Sequence, residues 1–202
     1  MATDPDVRRF ILRQYAVSVE EKIGEGDEAE AYALGAHRII KVFKPGCNPE
    51  TIDRRRTFYD MVDASTASFA IPKIFDHEQM DGVHYTVEAR IAGTSLTDAL
   101  PCFDAARRRD ALLAYADAAM AIRKIGCPIR DFGEIVSAPP LLADSWSDFV
   151  LARVETDLGR SLARVTSTIG RPHRAIERIG RVLAARPVIE PCLVHGDYFP
   201  PT

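Results

Sequence analysis

The sequence predicts an α+β protein with two lobes, in which strands come first and helices follow. In the first half, short runs of β-branched residues alternate with glycine and proline turns, which is typical of strands. From Asp104 onward, apolar residues recur at the spacing of amphipathic helices. A chain of 202 residues, 47% hydrophobic and 27% charged, can bury a core as one domain or as two small lobes that share a cleft. We expect a strand-rich lobe at residues 1–93 and a helical lobe at residues 94–202.

Composition and charge argue against several classes of protein. The formal net charge of -3 gives no basic signature, so we expect no nucleic-acid partner. No apolar run approaches the ~20 residues of a membrane span, and the N-terminus lacks the features of a signal peptide. We therefore expect no membrane association and a cytoplasmic location. The cysteines are scattered without a C-x-x-C pair, which indicates reduced thiols rather than disulfides or a zinc site.

The strand-rich part contains a hairpin and a lysine that are candidates for ligand binding. A helix at residues 7–15 is followed by a strand that begins at residues 17–19, the spacing Gly24-x-Gly26 and a second strand; we call residues 24–29 the glycine hairpin. Glycine has no Cβ, so the tip of this hairpin can approach a ligand closely. A third strand at residues 38–44 carries Lys41, which alternation places on one face with Ile39 and Phe43. A lysine on a buried face is costly unless it meets an anion, although a snorkelling edge lysine is an alternative.

A helix and two strands complete this part. The helix is predicted at residues 49–62, because Asn48 can cap it and Pro49 suits its first position. Two strands at residues 71–76 and 83–88 meet at Asp81-Gly82, a strong turn signal. Helices are then predicted at residues 104–125, 145–165 and 172–185.

The last residues hold the most specific motif. Leu193 and Val194 lead into His195-Gly196-Asp197, as a buried strand leads into a tight polar turn. Taken alone, Asp197 could cap its own backbone in that turn, and His195 could be a hydrogen-bonded core histidine.

Taken together, the motifs and their order resemble the aminoglycoside phosphotransferase family, a small-molecule branch of the kinase-like fold. The resemblance runs from about Val17 to Thr202, and His-Gly-Asp followed by Tyr-Phe-Pro is its most specific part. It implies that Asp197 is the catalytic base and His195 a structural support of the loop. It also implies a site for ATP or GTP, with Gly24, Gly26, Ala29 and Lys41 around the phosphates and the backbone of Glu88 and Ala89 at the adenine.

The resemblance also implies Mg²⁺, and here the sequence departs from the family pattern. Counting from Asp197, Thr202 occupies the position of a metal-binding Asn, unless an insertion at Pro200-Pro201 shifts it. The helix Glu that holds the strand lysine in this family falls near Arg55 in this chain; Glu50 and Asp53 are candidates to replace it, and the sequence establishes neither. The triplet at residues 131–133 spells the kinase metal motif, but it precedes the catalytic loop, and we interpret it as an ordinary loop.

The implied activity is transfer of the γ-phosphate of ATP or GTP to a hydroxyl of a small molecule. Because the second metal-binding carboxylate would follow Thr202, we expect a truncated chain that transfers phosphate poorly. An incomplete helical lobe would expose apolar faces and favour self-association. One alternative is a nucleotide-binding or protein-interaction module without catalysis, and another is an unrelated α+β domain with an accidental His-Gly-Asp.

Overall fold

The structure, a computed structural model, describes residues 4–63, 65, 67–169, 172–185 and 189–194. Within these ranges it contains a five-stranded antiparallel sheet, a two-stranded sheet and six α-helices, which confirms the predicted α+β class. The chain divides into two compact units. One contains the chain up to Cys127 together with Leu193 and Val194, and the other is Pro128–Cys192. This division differs from the lobe boundary predicted at residues 93/94, which stays a prediction.

The first unit holds the five-stranded sheet. Its elements in chain order are α1 (Pro5–Gln14), β1 (Lys22–Glu25), β2 (Ala29–Leu34), β3 (Arg38–Phe43), α2 (Pro49–Met61), β4 (Ile74–Met80), β5 (Val83–Ala89), α3 (Leu96–Ala99) and α4 (Ala105–Ile122). The strand order is β1-β2-β3-β5-β4, so β5 lies between β3 and the edge strand β4. Strands β3 and β5 are therefore direct neighbours in the sheet, although α2 and β4 lie between them in the sequence.

One face of this sheet forms the main core with α1. Alternation along β3 turns Ile40 and Val42 to this face, where both are fully buried. The cluster consists of Ile11, Leu12, Val17, Tyr32, Ile40, Val42 and Tyr85. Because Ile40 and Val42 occupy this face, Ile39, Lys41 and Phe43 lie on the opposite one, as the alternation predicted.

Helix α2 begins as the sequence predicts. The Asn48 side chain accepts a hydrogen bond from the Glu50 amide at 3.0 Å, and Pro49 occupies the first turn. The helix packs near β4, where the Asp53 carboxylate meets His77. Its one buried apolar residue is Ile52.

Two predicted strands begin later than expected. Residues 17–19 do not form a strand, because Val19–Glu21 is a 3₁₀ turn in which the Ser18 amide donates to the Glu21 carboxylate at 2.7 Å. Strand β4 begins at Ile74 rather than Ile71, since Pro72 has no N–H for the ladder. The turn between β4 and β5 is confirmed, with φ of 46° at Asp81 and 80° at Gly82.

Helix α4 confirms the helix predicted at residues 104–125. No residue of α4 is buried. Leu112, Leu113 and Met120 are 39%, 57% and 56% exposed. None of the described helices has both the length and the apolar character that crossing a membrane would require.

The second unit contains β6 (Phe132–Glu134), β7 (Leu141–Ala143), α5 (Trp146–Ile169) and α6 (Pro172–Ala184). The loop predicted at residues 131–133 is wrong, because β6 pairs with β7 there. Gly133 has φ of 149°, and a Cβ at this position would lie 1.9 Å from the Leu141 carbonyl oxygen. Close strand pairing thus requires glycine at this position.

The segment that leads to the His-Gly-Asp motif is not a strand where it is described. Residues 189–194 have no regular secondary structure, and Val194 is 75% exposed. A strand needs a neighbouring ladder, and none of the described strands pairs with this segment. The prediction of a buried strand at Leu193 and Val194 is therefore wrong for the part of the chain that the structure describes.

Candidate functional site

Lys41 on β3 forms an ion pair with Glu88 on β5. The ammonium nitrogen lies 2.8 Å from Oε2 of Glu88, and the Thr86 hydroxyl donates to Oε1 at 2.7 Å. Glu88 is 4% exposed and Thr86 is fully buried, whereas the Lys41 side chain is 35% exposed. Both carboxylate oxygens are therefore engaged below the surface, and the ammonium keeps hydrogens directed to solvent or to a ligand.

Small residues surround Lys41 on its own face of the sheet. The register pairs Lys41 with Ala31 of β2, and Ala31 in turn with Gly24 of β1. Ala29 and Ala33 share this face, because side chains two apart on a strand point the same way. On the side of Lys41 away from β5, strand β2 and the Gly24 position of β1 thus present only methyl groups or no side chain, which leaves room for a bound molecule.

The fold does not require glycine at Gly24 or Gly26. A Cβ at either position would meet nothing within 4 Å, and neither residue has a positive φ. The turn is closed by a hydrogen bond from the Gly26 amide to the Ala29 carbonyl at 2.9 Å. Neither packing nor backbone geometry demands glycine at these two positions, and both border open space at the glycine hairpin.

Three ion pairs hold the two glutamates of the hairpin, Glu25 and Glu28. The Glu25 carboxylate lies 2.5 Å from the Lys22 ammonium and 2.8 Å from that of Lys44. Hydrogen bonds from Lys22 and then Lys44 lower the pKa of Glu25 to about 2. Glu28 in the turn pairs with Arg55 of α2 at 3.2 Å.

The acids of α2 do not hold Lys41. Glu50 accepts from Arg54 at 2.8 Å, and the Asp53 carboxylate lies 2.7 Å from Nδ1 of His77. Neither of these two candidates therefore replaces the helix Glu, and the partner that the structure gives Lys41 is Glu88 of β5. The physical reason is strand order, because β5 pairs directly with β3 and brings Glu88 diagonally beside Lys41.

Tyr59 is a further residue of this site that the sequence did not indicate. Burial raises the pKa of its phenol, and the charge of Arg55 opposes this shift while those of Glu88 and Glu28 add to it. Its phenol is thus within electrostatic range of the hairpin acid, the helix cation and the lysine partner. Arg55 and Tyr59 lie one helical turn apart, so α2 presents a cation and a phenol to this region.

The backbone after Glu88 is committed to the sheet. The Ala89 amide donates to the Lys73 carbonyl at 2.8 Å, and the Arg90 amide donates to the His37 carbonyl at 2.9 Å. An adenine that used the Ala89 amide would have to displace the first of these bonds. The backbone role of Glu88 and Ala89 stays a prediction, whereas the Glu88 side chain has a contact that the sequence did not suggest.

The predicted catalytic residues His195 and Asp197 and the predicted metal position Thr202 lie outside the described residues. Among the residues that are described, no cluster of three or more His, Cys, Asp or Glu side chains is arranged to hold a metal ion. The described part of the predicted site consists of the hairpin, the lysine and the residues around them.

Solved structures with a similar fold are aminoglycoside phosphotransferases. The gentamicin complex of APH(2″)-IIa superposes with a TM-score of 0.61 at 19% identity, covering 98% of this chain and 64% of that one. The ADP-bound APH(2″)-Ib gives 0.57 at 19% identity, covering 96% and 64%. The streptomycin–ATP complex of APH(2″)-IIa gives 0.55 at 16% identity, covering 92% and 60%.

This chain has an aminoglycoside-phosphotransferase-like kinase fold. No protein-family model matches it, and no curated protein sequence does. The chain spans 60% to 64% of the length of these solved structures. The predicted kinase-like fold is thus confirmed, and at these identities the likeness concerns the fold alone.

The sequence contains one signal for the roles of Thr86 and Glu88 in this site. Strand β5 carries Thr86 and Glu88 two positions apart between apolar neighbours, so one face of a central strand is polar. Buried polar groups need partners. That pattern indicates a polar network on one face of β5, and the strand order then places Lys41 on the same face.

Proposed function

We propose that the chain binds ATP or GTP at the glycine hairpin, with the phosphates in contact with Lys41. The observation that carries this proposal is the Lys41–Glu88 ion pair beneath an open hairpin. A buried carboxylate fixes the ammonium in one place, so that it can meet a phosphate without further ordering. Nucleotide complexes among the structures of similar fold support the same ligand class.

We further propose that the bound nucleotide is a phosphoryl donor. Asp197 would accept the proton of a substrate hydroxyl as the new O–P bond forms and the bond between the β- and γ-phosphates breaks, releasing ADP or GDP. Mg²⁺ neutralises phosphate charge in reactions of this class. Lys41 would share that task from the side of the sheet.

The acceptor that we propose is a small hydroxylated molecule. Gentamicin and streptomycin are the ligands of the matched APH(2″)-IIa structures, and both belong to that chemical class.

We also propose a cytoplasmic location, since ATP and GTP are available there. The exposed apolar side chains of α4 support the expected self-association, which sedimentation would detect.

A second candidate function is nucleotide binding without transfer. Three acids, Glu25, Asp27 and Glu28, lie in or beside the turn that would cover the phosphates. Their charges oppose a polyphosphate unless Lys44 and Arg55 stay paired with them. Such a site could hold a nucleotide while positioning its terminal phosphate poorly.

Turnover separates the two candidates. ADP or GDP release is measured with a panel of aminoglycosides, amino sugars and choline, for the wild-type chain and for Asp197→Asn. Transfer predicts acceptor-dependent release that falls about a hundredfold or more in the variant. The matched control Asp148→Asn, which alters an exposed residue at the start of α5, should keep the wild-type rate. Nucleotide binding with no release from either chain would favour the second candidate.

A further inference from the structure

Helix α2 contributes no carboxylate to Lys41, and four of its charged residues have partners elsewhere. Glu50 pairs within the helix with Arg54, and Asp53 pairs with His77 on the edge strand β4. Arg55 pairs with Glu28 of the hairpin turn. The helix is thus connected to the edge of the sheet and to the hairpin, but not to the lysine.

The partner of Lys41 belongs instead to the sheet itself. Lys41 pairs with Thr86 across the β3–β5 ladder, and Ile39 pairs with Glu88, so Lys41 and Glu88 are diagonal neighbours on one face. The ladder fixes their separation, because backbone hydrogen bonds hold both strands. The Thr86 hydroxyl takes one carboxylate oxygen and leaves the other to Lys41.

We propose that Glu88, oriented by Thr86, is the positioning residue for Lys41 and that this pair forms independently of α2. The proposal rests on the nucleotide site proposed above and identifies a residue that prepares it. A lysine held from a helix loses its partner whenever the helix shifts. A lysine held from the neighbouring strand keeps its partner as long as the sheet is intact, so α2 is free to move with the hairpin through Arg55.

The test follows the order of the Lys41 ammonium group by NMR. The full chain is labelled with ¹³C and ¹⁵N in lysine, and the Lys41 side-chain signal is assigned by its loss in Lys41→Arg. We expect a wild-type Lys41 signal with restricted side-chain motion. In Glu88→Gln this restriction should fall to that of a surface lysine, because the charged partner is gone. Glu88→Asp, which keeps the charge, should restore part of it.

The helix acids supply the matched controls. Glu50→Gln and Asp53→Asn should leave the motion of Lys41 unchanged. An unchanged Lys41 signal in Glu88→Gln, or a mobile one in either helix variant, would overturn the proposal. If Glu88→Gln does not fold, Glu88→Asp decides alone. Its side chain is one methylene shorter, so the motion of the Lys41 side chain must become less restricted if Glu88 holds it.

Nucleotide binding is measured separately on the same samples. If Glu88 positions Lys41, ATP affinity should fall about tenfold in Glu88→Gln and stay at the wild-type value in Asp53→Asn, a difference of about 1.4 kcal/mol. A wild-type chain that binds no nucleotide would contradict the proposed function. In that case the motion of Lys41 still decides whether Glu88 holds it.

Discussion

The Arg55 guanidinium lies 3.2 Å from the Glu28 carboxylate and joins α2 to the turn of the glycine hairpin. The pair borders a cavity of about 330 Å³ between this turn, the β3–α2 loop and the first turns of α2. Glu28 is 65% exposed and Arg55 is 25% exposed at the side chain. An exposed pair of this kind contributes little to global stability, so its effect should be local to the hairpin.

Breaking this pair should loosen the hairpin without unfolding the chain. Glu28→Gln and Arg55→Gln are each expected to speed hydrogen exchange at the Gly26 amide while lowering the free energy of unfolding by ~1 kcal/mol or less. The double variant should add little to either single one, because the same contact is lost. Glu50→Gln, which breaks a pair inside α2, is the control and should leave that exchange rate unchanged. Additive effects of the two substitutions would show that the residues are not coupled.

Alanine at the hairpin glycines should affect ligand binding rather than folding. Gly24→Ala and Gly26→Ala meet no atom within 4 Å, so we expect the free energy of unfolding to change by ~0.5 kcal/mol or less. ATP affinity should fall in both, since the new methyl groups occupy space that the ligand needs. Chemical denaturation and calorimetric titration measure the two quantities.

Gly133 provides the opposite case. A Cβ there would lie 1.9 Å from the Leu141 carbonyl oxygen at a φ of 149°. Gly133→Ala should therefore lower the free energy of unfolding by ~2 kcal/mol or more. If Gly24→Ala destabilised the chain as much as Gly133→Ala, the hairpin glycines would have a structural role and the space above them would not be the reason for their presence.

Glu30 should be a major contributor to the stability of the first unit. It is 8% exposed and accepts hydrogen bonds from Tyr32 and Arg8, each at 2.7 Å. Glu30→Ala leaves these donors without their acceptor and should lower the free energy of unfolding by about 3 kcal/mol. Asp60→Ala, at an exposed position of α2, should change it by ~0.5 kcal/mol or less.

The same residue has a pH signature. Burial alone would raise the pKa of Glu30, but the hydrogen bonds from Tyr32 and Arg8 outweigh it and lower the pKa below the ordinary 4.5. Its contribution is therefore fully present above that value and is lost as the pH falls through the lowered pKa. Acid denaturation of Glu30→Gln should lack this component, and an identical acid profile would contradict the assignment.

His84 should destabilise the chain in mild acid. Burial and then the charge of His77 lower its pKa below 6.5, while Asp53 opposes the shift. Between the lowered pKa and 6.5 the unfolded state binds more protons, so stability falls as the pH falls through this window. His84→Gln should show a smaller loss, measured by denaturation at several pH values. His37→Gln, in an exposed turn, should behave like the wild type.

Local features of the fold were predictable because they depend on neighbours in sequence. The Asn48 cap, the Asp81-Gly82 turn and the alternation around Lys41 each follow from a few adjacent residues. Strand starts were less predictable, because Ser18 and Glu21 close a local turn that competes with the strand. Ser18 and Glu21 have the spacing of a capping box, which favours a turn over a strand at this point.

The partners in the site were not predictable, since they depend on strand order. Placing β5 beside β3 brings Glu88 to Lys41, although 46 residues lie between them in the sequence. The family pattern favoured a helix acid, but Arg55 occupies that position and pairs with Glu28. Once a helix acid is missing, a buried acid on the neighbouring strand is the remaining way to compensate the lysine charge.

Lys41 should be the cation that contacts the phosphates of the bound nucleotide. The test is calorimetric titration of MgATP and MgGTP into the wild type, Lys41→Met and Lys73→Met. Lys73 is the control, because its ammonium lies over the Phe75 ring. The double variant Lys41→Met/Glu88→Gln removes both charges of the pair, so no unpaired buried carboxylate remains, and it controls for misfolding. We expect the wild type and Lys73→Met to bind nucleotide with the same affinity. In both Lys41 variants the affinity should be at least about tenfold weaker, a loss of ~1.4 kcal/mol or more. Wild-type affinity in a folded Lys41→Met chain would contradict the account.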